Sequence, residues 1–198
     1  MPAAAARPYH HGDLRRALLR AAVETIGDGG PAAMSLRAVA RRAGVSHAAA
    51  AYHFGDKAGL LTAVAIEGYQ LLAGELEQAW ATHQAYAEVG VAYVRFAVRH
   101  RAHFEVMYQP ELYRADDPEV LAARAATAVR LYGTARPDPG QLAVGTAAWS
   151  LMHGLAMLWL DGNLPPQVGS DPEAVARTIA GYLEVPPELR GRDIRRGR

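Results

Sequence analysis

The sequence predicts an all-α protein in which an N-terminal three-helix unit containing a helix-turn-helix precedes a longer helical body, about nine helices in all. Three observations carry this expectation. Apolar residues recur at spacings of three and four along most of the 198 residues, and no strand-like alternation survives the parsing. Alanine is abundant and favours helix throughout. Two short helical patterns flank a glycine-containing turn at about residues 35 to 54, framed by longer helices, which is the arrangement of a helix-turn-helix.

Residues 1 to 8 read as a disordered arm, Ala-rich and closed by Pro8. From Asp13 the positions Leu14, Leu18, Ala21, Ala22 and Ile26 define a helix that is expected to stop at Gly27, Gly29, Gly30 and Pro31. A short helix opens at Ser35, whose hydroxyl can cap free backbone donors, and ends near Ala43 and Gly44. Val45 anchors the turn, and a second short helix runs from Ser46 to about Tyr52. Phe54, Gly55 and Asp56 then lead into a long helix carrying Leu60, Leu61, Val64, Ile66, Leu71, Leu72 and Leu76, which reaches Thr82. Further helices are expected at about 84 to 108, 116 to 134, 138 to 162 and 171 to 184. Pro110, the Arg136 to Pro139 stretch and the Pro165 to Ser170 loop separate them. Asp116 and Asp171 stand at expected N-caps, with Pro118 and Pro172 in the first turns. The tail from Pro186, ending in Arg195, Arg196 and Arg198, is expected to be disordered.

Composition narrows the partners. The chain has no cysteine, which removes disulfide frameworks and thiolate zinc sites, and no cofactor motif or metal-ligand spacing is found. The N-terminus lacks a signal-peptide pattern, and no later window reads as the roughly 18 uncharged apolar residues that a membrane span requires. A soluble, cytoplasmic protein without membrane partners is expected. Net charge is +1, but its distribution is uneven. Residues 1 to 60 carry eight basic and four acidic side chains, residues 61 to 190 nine and fifteen, and the last eight residues four and one. A basic head on an acidic body points to a polyanion at the head.

The stretch Met34 to Leu61, MSLRAVARRAGVSHAAAAYHFGDKAGLL, resembles the DNA-binding half of the TetR family of bacterial regulators. Val39, Ala40, Gly44, Val45, Phe54, Lys57 and Leu60 stand where that family has its hydrophobic, small, turn and basic positions. The resemblance implies a helix-turn-helix domain over residues 9–56, an effector-binding and dimerisation domain over 57–186 and a basic tail over 187–198. It also implies double-stranded DNA as the partner. The second short helix must enter the major groove, so its outward side chains should be short near the floor and polar at the rim. Ser46, His47, Ala48 and Ala49 suit a helix N-terminus held near base edges, with His47 the candidate reader and the two alanines able to meet a thymine methyl. Ser35 and the amides after it can hold a phosphate, Arg37 stands where the family often reaches a base or backbone, and Lys57 resembles the family's phosphate-binding lysine. One departure is clear. The family usually has a phosphate-contacting tyrosine three residues before the Phe, and this chain has Ala51 there with Tyr52 one step later. Tyr52 is expected either to replace that contact from a rotated face or to pack inside, and His53 to be a structural, at least half-buried histidine.

Trp149, His153 and Gly154 resemble the C-terminal type named for Trp, His and Gly within the same family. Residues 149 and 153 are one turn apart, and Met152, Leu155, Ala156 and Trp159 spread an apolar surface around much of their helix. The family's last two long helices form a four-helix interface between subunits, so the resemblance implies a homodimer, with Gly145, Gly154 and Gly181 allowing close approach. It also implies a cavity for a small, mostly apolar effector, for which Tyr69, Tyr93, Phe96, Phe104, Met107, Tyr108, Trp149, Met152, His153 and Trp159 are candidate lining residues. Two rivals stand beside this reading. An enzyme would draw on His10, His11 and Asp13, or on His100 with His103 and Glu105; His100 and His103, three apart on an expected helix, are a candidate metal pair, but no third ligand at helical spacing and no acid–base pattern accompanies them. A dimeric helical binding protein with weakened or lost DNA binding is suggested by Ala51.

Overall fold

A computed structural model of the chain describes residues 11–182. The expected arm and basic tail lie outside the described residues. The described residues form nine α-helices in order: α1 (His11–Ala33), α2 (Leu36–Arg42), α3 (His47–Phe54), α4 (Lys57–His83), α5 (Tyr86–Arg99), α6 (Arg101–Met107), α7 (Pro118–Tyr132), α8 (Pro139–Leu160) and α9 (Pro172–Ala180). Short 3-10 turns occupy Pro110–Leu112 and Pro166–Val168, and the described residues contain no strand.

The head closes on a small core of Leu18, Ala22, Ile26, Val39, Ala40, Ala50, Phe54, Leu60 and Val64. Ser35 and Ser46 cap α2 and α3 by accepting from the Ala38 and Ala49 amides at 3.2 and 3.1 Å. Between them Gly44 takes φ +69, which a side chain would disfavour, and the Val45 amide returns to the Ala40 carbonyl at 3.0 Å. Asp56 caps α4 through the Gly59 amide at 2.8 Å. α4 leaves the head and becomes the spine of the body, packed against α5, α6 and α7, while α6 also lies against α1 and α9 against α5.

Several boundaries differ from the sequence expectation. α1 continues past Gly27 and Gly29; the break falls at Gly30 (φ +78, ψ 164), because a helix tolerates an interior glycine at a cost of about 1 kcal/mol, whereas Gly30 precedes a proline. α3 extends to Phe54. The expected helix 84 to 108 is two helices, broken at His100 (φ −116, ψ 42). Neither Gly nor Pro marks this break. His100 meets Glu75 at 3.3 Å and His103 meets Glu67 at 2.9 Å, so two carboxylates on α4 catch two imidazoles and turn the chain toward α1. The N-cap of α7 is Asp117 rather than Asp116, since Pro118 occupies the first helical position and the cap must directly precede it.

α8 corrects the membrane reading of the sequence: Pro139–Leu160 carries no formal charge and is long and apolar enough to cross a membrane by length and composition. The polar Gln141, Thr146, Ser150 and His153 dilute this apolar character. Gly145 also has a different role from the expected one. A Cβ there would collide with the Tyr132 ring of the same chain, so its bareness serves the α7–α8 contact. Gly154 has open space above it.

Gly68 fixes how closely α6 approaches α4: a Cβ there would sit 2.6 Å from Met107 Sδ and 3.1 Å from His103 Cβ. Gly68→Ala is expected to lower stability by about 1–3 kcal/mol through overpacking, read by urea unfolding; an unchanged midpoint would contradict this packing.

Candidate DNA-reading face and effector cluster

The outward side of α3 presents Ser46, His47, Ala48 and Tyr52, all exposed, with Tyr52 81% exposed one turn beyond Ala48. Ala49 is half-buried and Ala50 fully buried, so the floor of the reading face is narrower than expected. Ala51 packs against the core, while Tyr52 stands out beside the half-buried His53 ring at 5.4 Å. Of the two expected placements for Tyr52, the structure shows the outward one. Arg37 is exposed on α2, and Arg41, exposed one turn later, shares its face. Sequence reasoning passed over Arg41, although its spacing of four from Arg37 carried the signal. Arg42 belongs elsewhere: it bridges Asp28 at 2.6 Å and Glu24 at 3.6 Å on α1. Lys57 donates to the Ala32 carbonyl at 2.6 Å, tying α4 to the end of α1 and using one of its three protons.

In the body, five of the expected lining residues converge. Tyr93 of α5, Phe104 of α6, Tyr108 just beyond α6, and Trp149 and His153 of α8 bring their rings together at centroid separations of 4.4 to 6.4 Å. The Tyr93 oxygen is the hub, 2.6 Å from the Tyr108 hydroxyl, 2.8 Å from His153 Nδ1 and 3.1 Å from Trp149 Nε1, which donates to it. Two proton arrangements satisfy the hub. Either Tyr93 donates to Tyr108 and accepts from His153 Nδ1–H, or it donates to His153 and accepts from Tyr108. Burial pushes the Tyr93 and Tyr108 hydroxyls up and the His153 imidazole down, so all three are neutral at pH 7.

The other five expected lining residues lie elsewhere. Tyr69 donates to the Met107 carbonyl at 3.1 Å, Phe96 stacks on His100 at 5.1 Å, Met152 fills the space over Gly90, and Trp159 packs near the end of α8. A small pocket of about 10 Å³, room for one water, lies between Leu76, Trp80, Tyr86, Val129, Arg130 and Gly133, away from the cluster. The aromatic rings fill their own space, and only Tyr108, Trp149 and His153 of the five are partly exposed. His100 and His103 diverge to separate glutamates, and the described residues contain no group of three or more potential metal ligands.

A three-helix head with its reading helix bared, joined through one long helix to a helical body around a neutral aromatic cluster, is the architecture of a one-component transcriptional regulator. The family model for "Bacterial regulatory proteins, tetR family" matches residues 18–64, and that for "Tetracyclin repressor-like, C-terminal domain" matches residues 86–182. A solved structure of a protein of unknown function from Rhodococcus sp. RHA1 is 32% identical, with 90% of this chain and 97% of that one covered at a TM-score of 0.72. The putative regulatory protein SCO4313 is 23% identical over 92% and 100% of the two chains, TM-score 0.77. The TetR family transcriptional regulator PfmR from Thermus thermophilus is 21% identical over 89% and 98%, TM-score 0.65. No curated protein matches in sequence. The chain belongs to the TetR family of transcriptional regulators, a family of DNA-binding proteins rather than enzymes. Its matching C-terminal model is the tetracyclin-repressor-like one; the narrower Trp-His-Gly type rests on Trp149, His153 and Gly154 alone.

The lowered pKa of His153 fixes the sign of one pH effect. The unfolded imidazole titrates near its ordinary 6.5, and the folded one resists protonation. The stability it contributes is therefore complete above about pH 6.5 and lost as pH falls through the folded value. The melting temperature should drop between about pH 7.5 and 5.5, and by less in His153→Asn; equal drops in both proteins would contradict the assignment.

Proposed function

We propose that this protein is a homodimeric, cytoplasmic repressor that binds a palindromic operator and is released by a small, mostly apolar, uncharged molecule taken up at the Tyr93–Tyr108–Trp149–His153 cluster. The observation that carries the reading is the bared face of α3, Ser46, His47, Ala48 and Tyr52, flanked by Arg37 and Arg41. In this reading Ser35, Arg37 and Lys57 hold phosphates, His47 and the alanines meet base edges, and Tyr52 supplies a backbone contact in place of Ala51. The exposure of Tyr52 favours this over a protein that has lost DNA binding.

Dimerisation is supported by α8. The helix has no charge to hold it in water, and Leu142, Leu151, Met157 and Leu158 are exposed on it. A second copy covering α8 and α9 would bury this face and place two reading helices for half-sites about one DNA turn apart. The effector reading is supported by the neutrality of the cluster. It offers aromatic faces and hydroxyls but no fixed charge, which suits a ligand with one or two polar groups. Entry requires the partly exposed Tyr108, Trp149 and His153 to part, and α6 carries such a movement to α1 and α4, against which it packs.

Genomic footprinting of the purified protein should return a short palindrome, and no enrichment at low salt would end the reading. On that site Lys57→Ala should weaken binding to all sequences and flatten the salt slope by about one unit. Tyr52→Ala should weaken binding uniformly, and His47→Ala should change sequence preference. A double Leu142→Glu, Leu158→Glu variant should sediment as a monomer; an unchanged dimer would place the interface elsewhere.

A further inference from the structure

The segment joining α6 to α7 touches the aromatic cluster at one end and the DNA-binding head at the other. At its start is Tyr108, whose hydroxyl meets Tyr93. Next, the buried Tyr113 turns back to donate to the Met107 carbonyl at 3.1 Å, the same oxygen that Tyr69 of α4 reaches. At its end the Arg114 amide donates to Thr62 Oγ1 at 3.0 Å, and Arg114 Nη2 straddles both carboxylate oxygens of Asp56 at 3.0 and 2.9 Å. Asp56 is the N-cap of α4, two residues after α3 ends. The guanidinium therefore grips the joint at which the reading helix meets the spine of the body. Gly59 permits this: a Cβ there would sit 2.6 Å from Arg114 Nη1 and collide with the Phe54 carbonyl.

We infer that Arg114 is a positioning residue for the reading helix, and that residues 108 to 114 form a strap that passes the state of the aromatic cluster to the first turn of α4 through Asp56. The argument rests on chain length and on the strength of each fastening. The strap is short, and Tyr113 holds it against α6 one residue before Arg114, so a displacement of Tyr108 has little slack in which to dissipate. The bond to the buried Thr62 hydroxyl sets the register. The ion pair, with both side chains about half exposed, is of the weak, screened kind that can open and close. A strong buried pair would lock the joint instead. Arg114 also reaches across to the head, whereas Arg95, Arg99, Arg101, Arg130 and Arg177 pair with glutamates within the body.

The inference rests on reading the cluster as the effector site, and its test uses neither effector nor DNA, so the two fail separately. Amide hydrogen exchange is measured on the full-length protein, in peptides covering residues 56 to 64. Tyr93→Phe, which removes the hub hydroxyl, is expected to speed exchange there by about three-fold or more. Arg114→Ala is expected to raise the same rates by itself and to abolish the further response to Tyr93→Phe. Asp56→Asn, which keeps an oxygen for the Gly59 amide, should reproduce Arg114→Ala, and Arg114→Lys should restore part of the response through its charge. An effect of Tyr93→Phe that is absent, or of equal size with and without Arg114, overturns the strap. An operator complex indifferent to every small molecule that binds the cluster would instead overturn the effector reading.

Discussion

Everything in this molecule hangs on the burial of α4. Its first turns, Leu60, Leu61 and Val64, complete the core of the head, and its later turns, Tyr69, Leu72, Leu76 and Ala79, complete the core of the body. Each fully buried aliphatic side chain contributes about 1.5–3 kcal/mol by leaving water. A helix that supplies both cores cannot bend far without exposing part of one of them, which couples the head to the body. That constraint explains why small contacts at its N-terminus matter: Asp56, Lys57 and Gly59 sit where a tilt of the rod becomes a displacement of α3.

How much of this was legible in the sequence follows from how local each cause is. Ser35, Ser46 and Gly44 act on backbone within four residues of themselves, and the head was readable to within a residue or two. Tyr52 and Ala51 were readable as an anomaly, but facing is a matter of phase on a helix eight residues long, which only packing decides. The break at His100 was illegible because its cause is distant: Glu75 and Glu67 lie about two turns apart on another helix, and the apolar period of α5 continues through the break into α6. The hub at Tyr93 was illegible for the same reason. Aromatic residues at helical spacing look alike whether they line a pocket or fill a core, and only the packing shows which five of the ten candidates converge on one cluster.

The closed state of the cluster and the neutrality of its groups belong together. Tyr93, Tyr108 and His153 satisfy one another around a single oxygen, which is how a part-buried polar set avoids the cost of unpaired donors and acceptors. In the proposed effector reading, a guest would have to offer at least as good a partner to the hub as the one it displaces, and would gain aromatic contact besides. Shape alone would admit many apolar molecules; in that reading the hub would admit those with a hydroxyl or carbonyl correctly placed. Discrimination thus comes from the hydrogen bonds a wrong guest would leave unmade.

The head carries an excess of basic residues, and some of them also serve as internal fastenings. Arg42 is bound to Glu24 and Asp28, Lys57 gives a proton to the Ala32 carbonyl, and Arg15 lies over the Phe54 ring at 5.4 Å. These cations hold the three helices to one another and reach outward only in part. In the proposed DNA-binding reading, cations tied down in this way have fewer free donors for phosphates, and indiscriminate attachment grows with the number of phosphates neutralised. In that reading little of the search is spent parked on the wrong sequence, and fewer copies are sequestered by the rest of the chromosome.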